Sequence, residues 1–479
     1  MAFIILAALP WALYVRAFCH DRESNALAVC LCLSFGLGSL TLIMLGLGIL
    51  GIPLRHWTIT VIYLLLMAAG WRLAWRRKEA IVLRTFWPEG WVRRSIWLIC
   101  AAVAMAQCFN AGYWPFFRED VLGIYAPFAA TVVERQALIS LSGLPDAMYR
   151  YESYPMMVPL SFAYVHMSAN GIHEYLAKTM VTLLSLACIP AAYLLGVASH
   201  SQKMGWLSAA LLALTPAFWR WASSGYVDLP MAFFATMSAY FALRLWQSGH
   251  HRDALLSGIH LGMATWVKNA GLILLPILTL WFFMGIRRRK IQLRHWVILV
   301  SSALVSGAIW YAWTFIQAGV IVPKTAWTDE AQHSLATLLV FISQWENYSL
   351  VGWLILLGMA TVLWSSFQDG FRKPGHLLLL LIVIPYWLVW WWFVSYDSRF
   401  ILLFLPIACV FGALIIDAAA RAALPNLRSA MAAALLICAA LWATHGILIS
   451  IQFKDEILAN PILSHEEKIA IVRPPAPES

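Results

Sequence analysis

Charged residues are scarce in this sequence. They make up 12% of its 479 residues, whereas hydrophobic residues make up 62%. Soluble globular proteins carry about 25% charged residues, so the composition excludes an ordinary soluble domain and predicts an integral membrane protein. The 26 tryptophans agree with this prediction, because tryptophan is enriched where helices meet the membrane–water interface.

The sequence also lacks cysteine pairs with the spacing of a metal site, and it lacks a soluble domain with a basic face. We expect the cysteines to be small buried hydrophobic side chains rather than a disulfide framework or a metal site. Basic residues lie in short loops such as "WRRK" and "IRRRK", where membrane topology is set, so the net charge of +10 does not predict nucleic-acid binding. The eight cysteines lie in or beside apolar runs, at positions 19, 30, 32, 100, 108, 188, 409 and 438.

Long apolar runs fill most of the chain. A span needs about 20 apolar residues, and its backbone polar groups must be satisfied within the segment, so each span is expected to be a helix. No basic residue precedes the first run, which is therefore expected to be a span rather than a cleaved signal peptide. The sequence predicts an all-α polytopic membrane protein with a bundle of roughly 12–14 transmembrane helices. The candidate runs lie near 2–17, 27–50, 58–75, 95–110, 175–197, 205–220, 229–246, 254–267, 270–286, 295–317, 348–366, 377–394, 401–418 and 430–452.

The short basic loops predict the orientation of the chain. Loops rich in lysine and arginine face the cytoplasm, which makes the run at 95–110 lead outward and leaves residues 111–153 on the outside. The same alternation places "SYDSRF" and the 318–347 loop outside. The basic segments used as inner anchors are 76–78 with 93–94, 287–290 and 372–373.

Three further segments carry separate expectations. "DVLGIYAPFAATVVERQAL" has the pattern of an amphipathic helix on the outer membrane surface. Residues 155–171 are apolar enough to cross, but a crossing there would reverse all later basic loops. We expect this segment, with Pro155 and Pro159, to be re-entrant or interfacial. The polar tail from about residue 453 is expected to fray.

Ionisable residues form four clusters on the predicted outer side. Each has an ordinary explanation, since loop acids are usually solvated and a lysine or arginine can anchor a helix end. Asp228 and Lys268, however, interrupt apolar sequence at membrane depth, where ionisable residues are costly and are functional candidates. A carboxylate can act as a general base towards a hydroxyl, and lysine with arginine can hold a phosphate. The four clusters are Arg118, Glu119 and Asp120 together, then Asp228, Lys268 and Arg399.

Several motifs follow one another in a characteristic order between residues 95 and 290, with a weaker echo at 397–406. "RED" and "IYAPFA" precede "YESYPMMVPL" and "NGIHEYLAKTM", and these precede "YVDLPMAFF", "GMATWVKNAGLILLP" and "RFILLFLP". In this order and spacing the sequence resembles the GT-C superfamily of polyprenyl-phosphate-dependent glycosyltransferases. Within it, the sequence is similar to the protein O-mannosyltransferases and the lipid A aminoarabinose transferases.

The resemblance implies a role for each cluster. Asp120 or Glu119 is implied as the catalytic base that activates the acceptor, and Asp228 as a second acid. Lys268 and Arg399 are implied as contacts to the donor phosphate. This sequence has Glu-Asp where the family usually has Asp-Glu, which leaves the choice of base open.

The sequence also departs from the family at the prolines that follow the outer loop. It reads "ESYPMMVP" instead of a Lys-Pro-Pro form. The charged contact that usually precedes these prolines therefore falls to Glu152 or Arg150, or is missing. Glu152 and Tyr154 are the substrate-binding candidates of this segment.

The resemblance implies an inverting transfer of a sugar from a polyprenyl-phosphate donor to a hydroxyl or phosphate of a lipid, glycan or protein acceptor. The reaction is expected on the outer face of an inner or plasma membrane, without a cofactor or a metal ion, since the outer loops have no His/Cys cluster with ligand spacing. Residues 95–290, with outer loop 111–153, are expected to form the catalytic module. Membrane helices of unassigned role precede it in 1–94, and helices in 291–452 and the tail 453–479 follow.

Two other functions are compatible with the composition. A transporter or flippase of lipid-linked saccharides predicts internal repeats and ionisable residues near the membrane midplane, whereas this sequence shows no repeat and its charges gather towards one face. An outer-face ligase of lipid-linked glycans predicts a large late loop, for which the 318–347 loop is short. A purely structural membrane protein leaves Asp228 and Lys268 unexplained.

Overall fold

The computed structural model describes residues 10–15, 25–76, 88–140, 154–322, 331–423 and 428–473, and their regular structure is entirely helical. Helices are expected because lipid offers no partners to backbone polar groups. Two π-helical turns, Val121–Tyr125 and Leu304–Ala308, and two 3₁₀ turns, Asn269–Ile273 and Ser398–Leu403, join neighbouring helices. The α-helices are Asn25–Ile49, His56–Arg76, Trp91–Tyr113, Ala126–Arg135, Met157–Ala169, Glu174–Leu186, Cys188–Ser199, Gln202–Ala213, Pro216–Trp221, Asp228–Ser248, His251–Val267, Leu274–Arg287, Leu293–Ala303, Ile309–Ala318, Leu335–Leu338, Val340–Ser343, Trp345–Gln368, Pro374–Phe393, Leu405–Ala422, Arg428–Ser450, Lys454–Ala459 and His465–Val472.

The predicted all-α, polytopic membrane architecture is confirmed. Nine helical segments of the described residues are long and apolar enough to cross a bilayer. Some apolar runs of the sequence form shorter helices, such as Gln202–Ala213, whose 12 residues extend only about 18 Å. The nine segments are Asn25–Ile49, Trp91–Tyr113, Glu174–Ser199, Asn269–Arg287, Leu293–Ala318, Trp345–Gln368, Pro374–Phe393, Leu405–Ala422 and Arg428–Ser450.

The helices Asp228–Ser248 and His251–Val267 form the centre of the protein. Every residue from Asp228 to Leu243 is buried, as expected for a helix surrounded by other helices. The second helix has glycines at 258 and 262, one turn apart, on the face that meets Leu293–Ala303. A Cβ at Gly258 would lie 2.2 Å from the carbonyl oxygen of Leu299. Glycine therefore allows the two backbones to approach closely, as in other membrane helix pairs.

Four chain segments bring the predicted site residues to one end of the bundle. Asp120 follows the end of Trp91–Tyr113, and Asp228 is the first residue of its helix. Lys268 directly follows Val267, and Arg399 lies in the turn Ser398–Leu403. All four residues therefore lie where helices of the bundle begin or end.

Two of the basic segments chosen as inner anchors, 93–94 and 287–290, lie at the opposite helix ends. Arg93 and Arg94 are in the first turn of Trp91–Tyr113, whereas Asp120 follows its last turn. Arg287 ends the helix that begins shortly after Lys268. The helix ends therefore agree with the alternation used for the topology, and the assignment of the site end to the outside stays a prediction.

The two segments expected at the membrane surface are both helical. Residues 119 and 120 begin a helix that continues through Val121–Tyr125 into Ala126–Arg135. Residues 155–171 contain Met157–Ala169, whose 13 residues extend about 20 Å, less than the roughly 30 Å of the hydrocarbon core. This helix is buried in protein from Met157 to His166, which favours the re-entrant over the interfacial alternative.

The expectation of a frayed tail is wrong for residues up to 473. The tail forms the helices Lys454–Ala459 and His465–Val472. A capping box between Ser464 and Glu467 begins the second helix and satisfies backbone donors that would otherwise be unpaired. Nη2 of Arg473 lies 2.6 Å from Oε2 of Glu174, so the tail is anchored to the body of the protein.

The first long helix, Asn25–Ile49, packs against the centre of the bundle. The indole nitrogen of Trp266 donates to the hydroxyl of Thr41 at 3.0 Å, and Ser34 is hydrogen-bonded to His260 at 3.1 Å. These contacts hold the end of His251–Val267, the helix that leads directly into Lys268. The helix Asn25–Ile49 thus supports the segment that carries a predicted site residue.

Candidate active site

A chain of alternating charges connects acidic and basic residues at one end of the bundle. Nη1 of Arg399 lies 2.9 Å from Oδ2 of Asp120, and Nε of Arg399 lies 3.5 Å from Oδ2 of Asp228. Nζ of Lys268 donates to Oδ1 of Asp228 at 2.6 Å. Asp228 is only 2% exposed, and a carboxylate buried so deeply requires partners of this kind. The structure thus brings together four of the residues proposed from the sequence.

Arg399 is the central residue of this network. Its backbone N–H donates to Oδ1 of Asp397 at 2.8 Å, and its Nε lies 3.3 Å from Oδ2 of the same carboxylate. The guanidinium also lies over the ring of Tyr226, 4.4 Å from its centroid. Burial lowers the pKa of Arg399, but the charges of Asp228, Asp397 and Asp120 outweigh this effect and raise the pKa above its usual value. Arg399 therefore stays protonated at every physiological pH.

Lys268 lies at a break between two helices. Its backbone is extended, with φ −154° and ψ 140°, and its ammonium lies 3.9 Å from the ring centroid of Phe400. The following turn needs glycine at 271, because a Cβ there would lie 2.6 Å from the carbonyl carbon of Ala264. The "KNAG" sequence thus folds back tightly and directs the lysine to Asp228.

The segment before Asp120 is held from inside the protein. Lys178 is fully buried, and its ammonium donates to the carbonyl oxygens of Trp114 and Pro115 at 2.6 and 3.1 Å. At the other end of the segment, the backbone N–H of Asp120 donates to the hydroxyl of Tyr226 at 3.3 Å. A buried lysine used in this way fixes the path of the chain that leads to Asp120.

The same segment is also held by the C-terminal tail. The backbone N–H of Phe116 donates to Oε2 of Glu174 at 2.7 Å, and Nε of Arg473 donates to the carbonyl oxygen of Phe116 at 2.7 Å. Arg473 also pairs with Glu174. We call these three residues the 116–174–473 clamp. It satisfies both backbone groups of Phe116, four residues before Asp120.

The charge network borders a cavity of about 570 Å³. This volume is within the usual range of small-ligand sites. Asp120, Lys268 and Arg399 line it together with the aromatic rings of Tyr226 and Phe400. About a third of the Asp120 side chain is exposed, at 33%, so a molecule in the cavity can reach this carboxylate directly.

The remaining residues proposed from the sequence differ in their placement. Glu119 and Tyr154 line the same cavity, and Glu119 is exposed and forms no ion pair with any residue that the structure describes. Glu152 and the alternative Arg150 lie outside the described residues. The network therefore favours Asp120 over Glu119 as the carboxylate that faces the other charges.

Sequence reasoning gave no role to several residues of the site. Asp397 pairs with Arg399, and the rings of Trp221 and Tyr226 pack against the Arg399 guanidinium. The short spacing in "DSR" was the available signal for Asp397, because an aspartate two residues before an arginine can cap the turn in which that arginine lies. Nothing in the sequence distinguished Trp221 from the other tryptophans.

Comparisons with known proteins agree with this architecture. Residues 154–313 match the family model described as dolichyl-phosphate-mannose-protein mannosyltransferase. The matched region contains Asp228 and Lys268 but neither Asp120 nor Arg399. A comparison with curated proteins finds no match.

Two solved structures have a similar fold. ArnT from Cupriavidus metallidurans bound to undecaprenyl phosphate aligns with a TM-score of 0.52 and 14% identity, over 74% of this chain and 73% of that protein. The archaeal oligosaccharyltransferase AglB from Archaeoglobus fulgidus, in complex with an inhibitory peptide and a dolichol-phosphate, aligns with a TM-score of 0.54 and 13% identity. That alignment covers 77% of this chain and 56% of AglB, so this chain spans little more than half of the AglB length.

The fold is that of the GT-C membrane glycosyltransferases, and the chain is a multi-pass membrane protein. The family model over the middle third of the chain and the similar folds over about three quarters of it confirm the resemblance found in the sequence motifs. At these identities the structural similarity establishes the fold, and the chemistry must be argued from the residues of the cavity.

Proposed function

We propose that this protein is a membrane glycosyltransferase that moves a sugar from a polyprenyl-phosphate-linked donor to an acceptor hydroxyl or phosphate. The observation that carries this proposal is the network of Asp120, Arg399, Asp228 and Lys268 around a cavity at the ends of membrane helices. It combines an accessible carboxylate with two cations, which are the groups that acceptor activation and phosphate binding require. A lipid-linked donor would present its phosphate at this level of the membrane.

Lys268 and Arg399 are the proposed contacts to the donor phosphate. In the structure, both cations pair with carboxylates. Arg399 contacts Asp120, Asp228 and Asp397, and Lys268 contacts Asp228. The buried Asp228 keeps both cations in place. A bound phosphate would compete with Asp120 for Arg399, and the Asp120 carboxylate would then become free to accept a proton.

Asp120 is the proposed general base. The acceptor proton moves to the Asp120 carboxylate while the acceptor oxygen forms a bond to the anomeric carbon of the sugar. The bond from this carbon to the phosphate oxygen breaks, and its electron pair leaves with the polyprenyl phosphate, whose charge Lys268 and Arg399 stabilise. A single displacement of this kind inverts the anomeric centre.

The proposed site faces the periplasm or the outside of an inner or plasma membrane. The helix ends support this placement, because the basic loops of the sequence lie at the opposite ends of the helices that carry the site. The helices before residue 95 and after 290 are proposed to enclose the module that contains Asp120, Asp228 and Lys268.

The reaction is proposed to need no metal ion, since two cations are available to neutralise a phosphodiester. Addition of EDTA is therefore expected to leave the transfer rate largely unchanged. Loss of the activity on chelation, with recovery on addition of a divalent ion, would instead make the carboxylates of the network metal ligands.

The proposal is tested with the purified protein in lipid nanodiscs and a radiolabelled polyprenyl-monophosphate sugar. We expect the donor to be consumed, with release of free polyprenyl phosphate, in the presence of a total membrane extract as a source of acceptors. The matched control is Asp120→Asn. If the protein in sealed vesicles instead moves the intact donor across the bilayer, it is a transporter.

A further inference from the structure

A second cavity adjoins the first one. Its volume is about 450 Å³, and Arg118 lines both cavities. Its walls come from the short helix Pro216–Trp221, the beginning of Trp345–Gln368 and the end of Arg428–Ser450. The role proposed above for the charge network uses neither this cavity nor Arg118.

Arg118 differs from Arg399 in its partners. Its guanidinium packs over the rings of Trp221 and Phe117, 4.8 and 5.0 Å from their centroids, and its Nε is buried without a hydrogen-bond partner. Among the described residues, no carboxylate lies within ion-pair distance of it. Burial lowers the pKa of Arg118, and the positive charges of Arg220 and Arg399 lower it further, whereas Tyr226 and Glu119 partly oppose this shift. A partly desolvated cation that neighbours other cations is costly, and a bound anion would relieve this cost.

The lining of the second cavity has a positive excess and is rich in aromatic rings. Arg118 and Arg220 face a single carboxylate, that of Glu346. Trp219, Trp345 and Trp442 provide the aromatic part of the wall. An anionic group attached to an apolar body matches this combination of charges and rings.

Two helices that are long and apolar enough to cross the bilayer border the second cavity. Only 11% of the apolar stretch of Arg428–Ser450 is buried in protein, so this helix presents most of its side chains to lipid. Trp345 and Ile449, which line the cavity, are more than half exposed, at 53% and 59%. Their exposure at the ends of two spanning helices leaves a lateral path from the membrane to Arg118.

We propose that the second cavity binds the acceptor, and that the acceptor is a membrane lipid with an anionic group close to its reactive oxygen. This inference rests on the proposed glycosyltransferase function. Arg118 and Arg220 hold the anionic group, and the apolar part of the lipid lies along the tryptophans between the two spanning helices. Arg118 and Asp120 are two residues apart, so their Cα atoms are separated by at most about 7 Å. An acceptor held by Arg118 therefore presents a neighbouring oxygen to Asp120.

The charge distribution assigns this cavity to the acceptor rather than to the donor. The first cavity already offers two cations for the donor phosphate, Lys268 and Arg399, and it contains the base. A donor phosphate at Arg118 would leave those two cations without a substrate role. Two substrates that approach Asp120 from adjoining cavities can be bound together, as a direct displacement requires.

The test measures transfer from a labelled polyprenyl-phosphate sugar by the protein in phosphatidylcholine nanodiscs. Acceptors are supplied as three separate extracts of membranes: anionic lipids, neutral lipids and water-soluble glycans. We expect label in the anionic lipids. Arg118→Gln and Arg220→Gln should each raise the half-saturating concentration of this extract about tenfold, the effect of losing about 1.4 kcal/mol of binding free energy, without changing that of the donor. Arg135→Gln, on the same outer segment but outside both cavities, is the matched control.

The outcomes separate this inference from the proposed function. Label in neutral lipids or soluble glycans, or an increase in the half-saturating concentration of the donor instead of the acceptor, would overturn the inference while the protein remains a glycosyltransferase. If the wild type does not consume the donor with any extract, the proposed function itself fails. Arg220 is exposed, so its substitution remains informative if the Arg118 variant does not fold. A further arm adds salt, which should weaken acceptor binding by the wild type more than by a variant that carries both Arg118→Gln and Arg220→Gln.

Discussion

The two ends of the helix bundle both contain a small charge network, and the networks differ in their contact with solvent. At one end, Lys268 and Arg399 are 14% and 11% exposed and surround the buried Asp228. At the other end, Asp417 pairs with Lys203 at 2.7 Å and with Arg421 at 3.1 Å, but these cations are 53% and 69% exposed. Ion pairs with exposed partners contribute about 0–1 kcal/mol, whereas removal of one partner from a buried pair costs about 3–5 kcal/mol.

The difference shows which charges need a functional explanation. The Asp417 side chain is itself only 12% exposed, but both of its cations reach solvent, so ordinary stabilisation accounts for this network. The Arg399 network gathers three carboxylates around two cations that are themselves largely buried, in the wall of a cavity. A protein that only needed to hold its helices together would place apolar residues there, since these are often at least as stabilising. Substitutions at the two ends should therefore have very different consequences.

The largest effect is expected at Asp120. Asp120→Asn keeps the size of the side chain and removes its ability to accept a proton, so turnover should fall about a hundredfold or more. Donor binding should change little. Single-turnover transfer rates and donor titrations separate the two quantities. Glu119→Gln is the matched control with a milder expected effect, and a fully active Asp120→Asn beside an inactive Glu119→Gln would transfer the role of base to Glu119.

The next effect is expected at the two cations. Lys268→Ala and Arg399→Ala each remove a proposed phosphate contact and should raise the half-saturating donor concentration by about tenfold or more. Both changes also leave Asp228 with one partner fewer, so the unfolding temperature should fall. Lys203→Ala at the other end is the control. Donor binding that is unchanged in both site variants would remove these residues from the donor site.

A smaller effect is expected for the 116–174–473 clamp. Arg473→Gln removes the ion pair with Glu174 and two donors to the carbonyl oxygen of Phe116, and so loosens the segment that leads to Asp120. We expect turnover to fall several-fold with unchanged donor binding, because imprecise placement of a catalytic group lowers the rate of the chemical step. Arg473→Lys should restore part of the rate. A change in thermal stability alone, with full turnover, would make the clamp purely structural.

The smallest effect is expected at the opposite end of the bundle. Asp417→Asn breaks two ion pairs with exposed partners and should lower the free energy of unfolding by about 1 kcal/mol or less. Thermal unfolding in nanodiscs measures this change, and the transfer rate should be that of the wild type. A loss of activity comparable to that of Lys268→Ala would contradict the distinction between the two networks.

The sequence was sufficient to predict an all-helical membrane bundle and four charged residues that the structure brings together. A helix that crosses the bilayer must be apolar, so the membrane helices can be recognised as apolar runs. Asp228 and Lys268 interrupt such runs, and this identified both as functional candidates. Arg399 and Asp120 were singled out as charged residues on the predicted outer side, and the family resemblance implied their roles. These two residues are 279 positions apart in the sequence, and the distance between their side chains depends on helix packing, which no local pattern records.

Other features were missed for identifiable physical reasons. The tail after 453 has the polar composition of a frayed terminus, and its order depends on a capping box and on Arg473, whose partner Glu174 lies far away in the sequence. Lys178 holds the chain before Asp120 in place, because its ammonium donates to the carbonyl oxygens of Trp114 and Pro115, which lie more than 60 positions earlier in the sequence. Contacts between side chains and a distant backbone have no signature in the composition of either segment.

The central claim is that the sugar leaves its phosphate by breakage of the bond at the anomeric carbon, in the cavity that contains Asp120. A donor with a heavy oxygen isotope between sugar and phosphorus tests it directly, with mass spectrometry of the polyprenyl phosphate that the wild type and Asp120→Asn release. We expect the heavy oxygen to stay with the polyprenyl phosphate, and the variant to release it about a hundredfold more slowly. Heavy oxygen retained on the transferred sugar, or equal rates for the two proteins, would contradict the account.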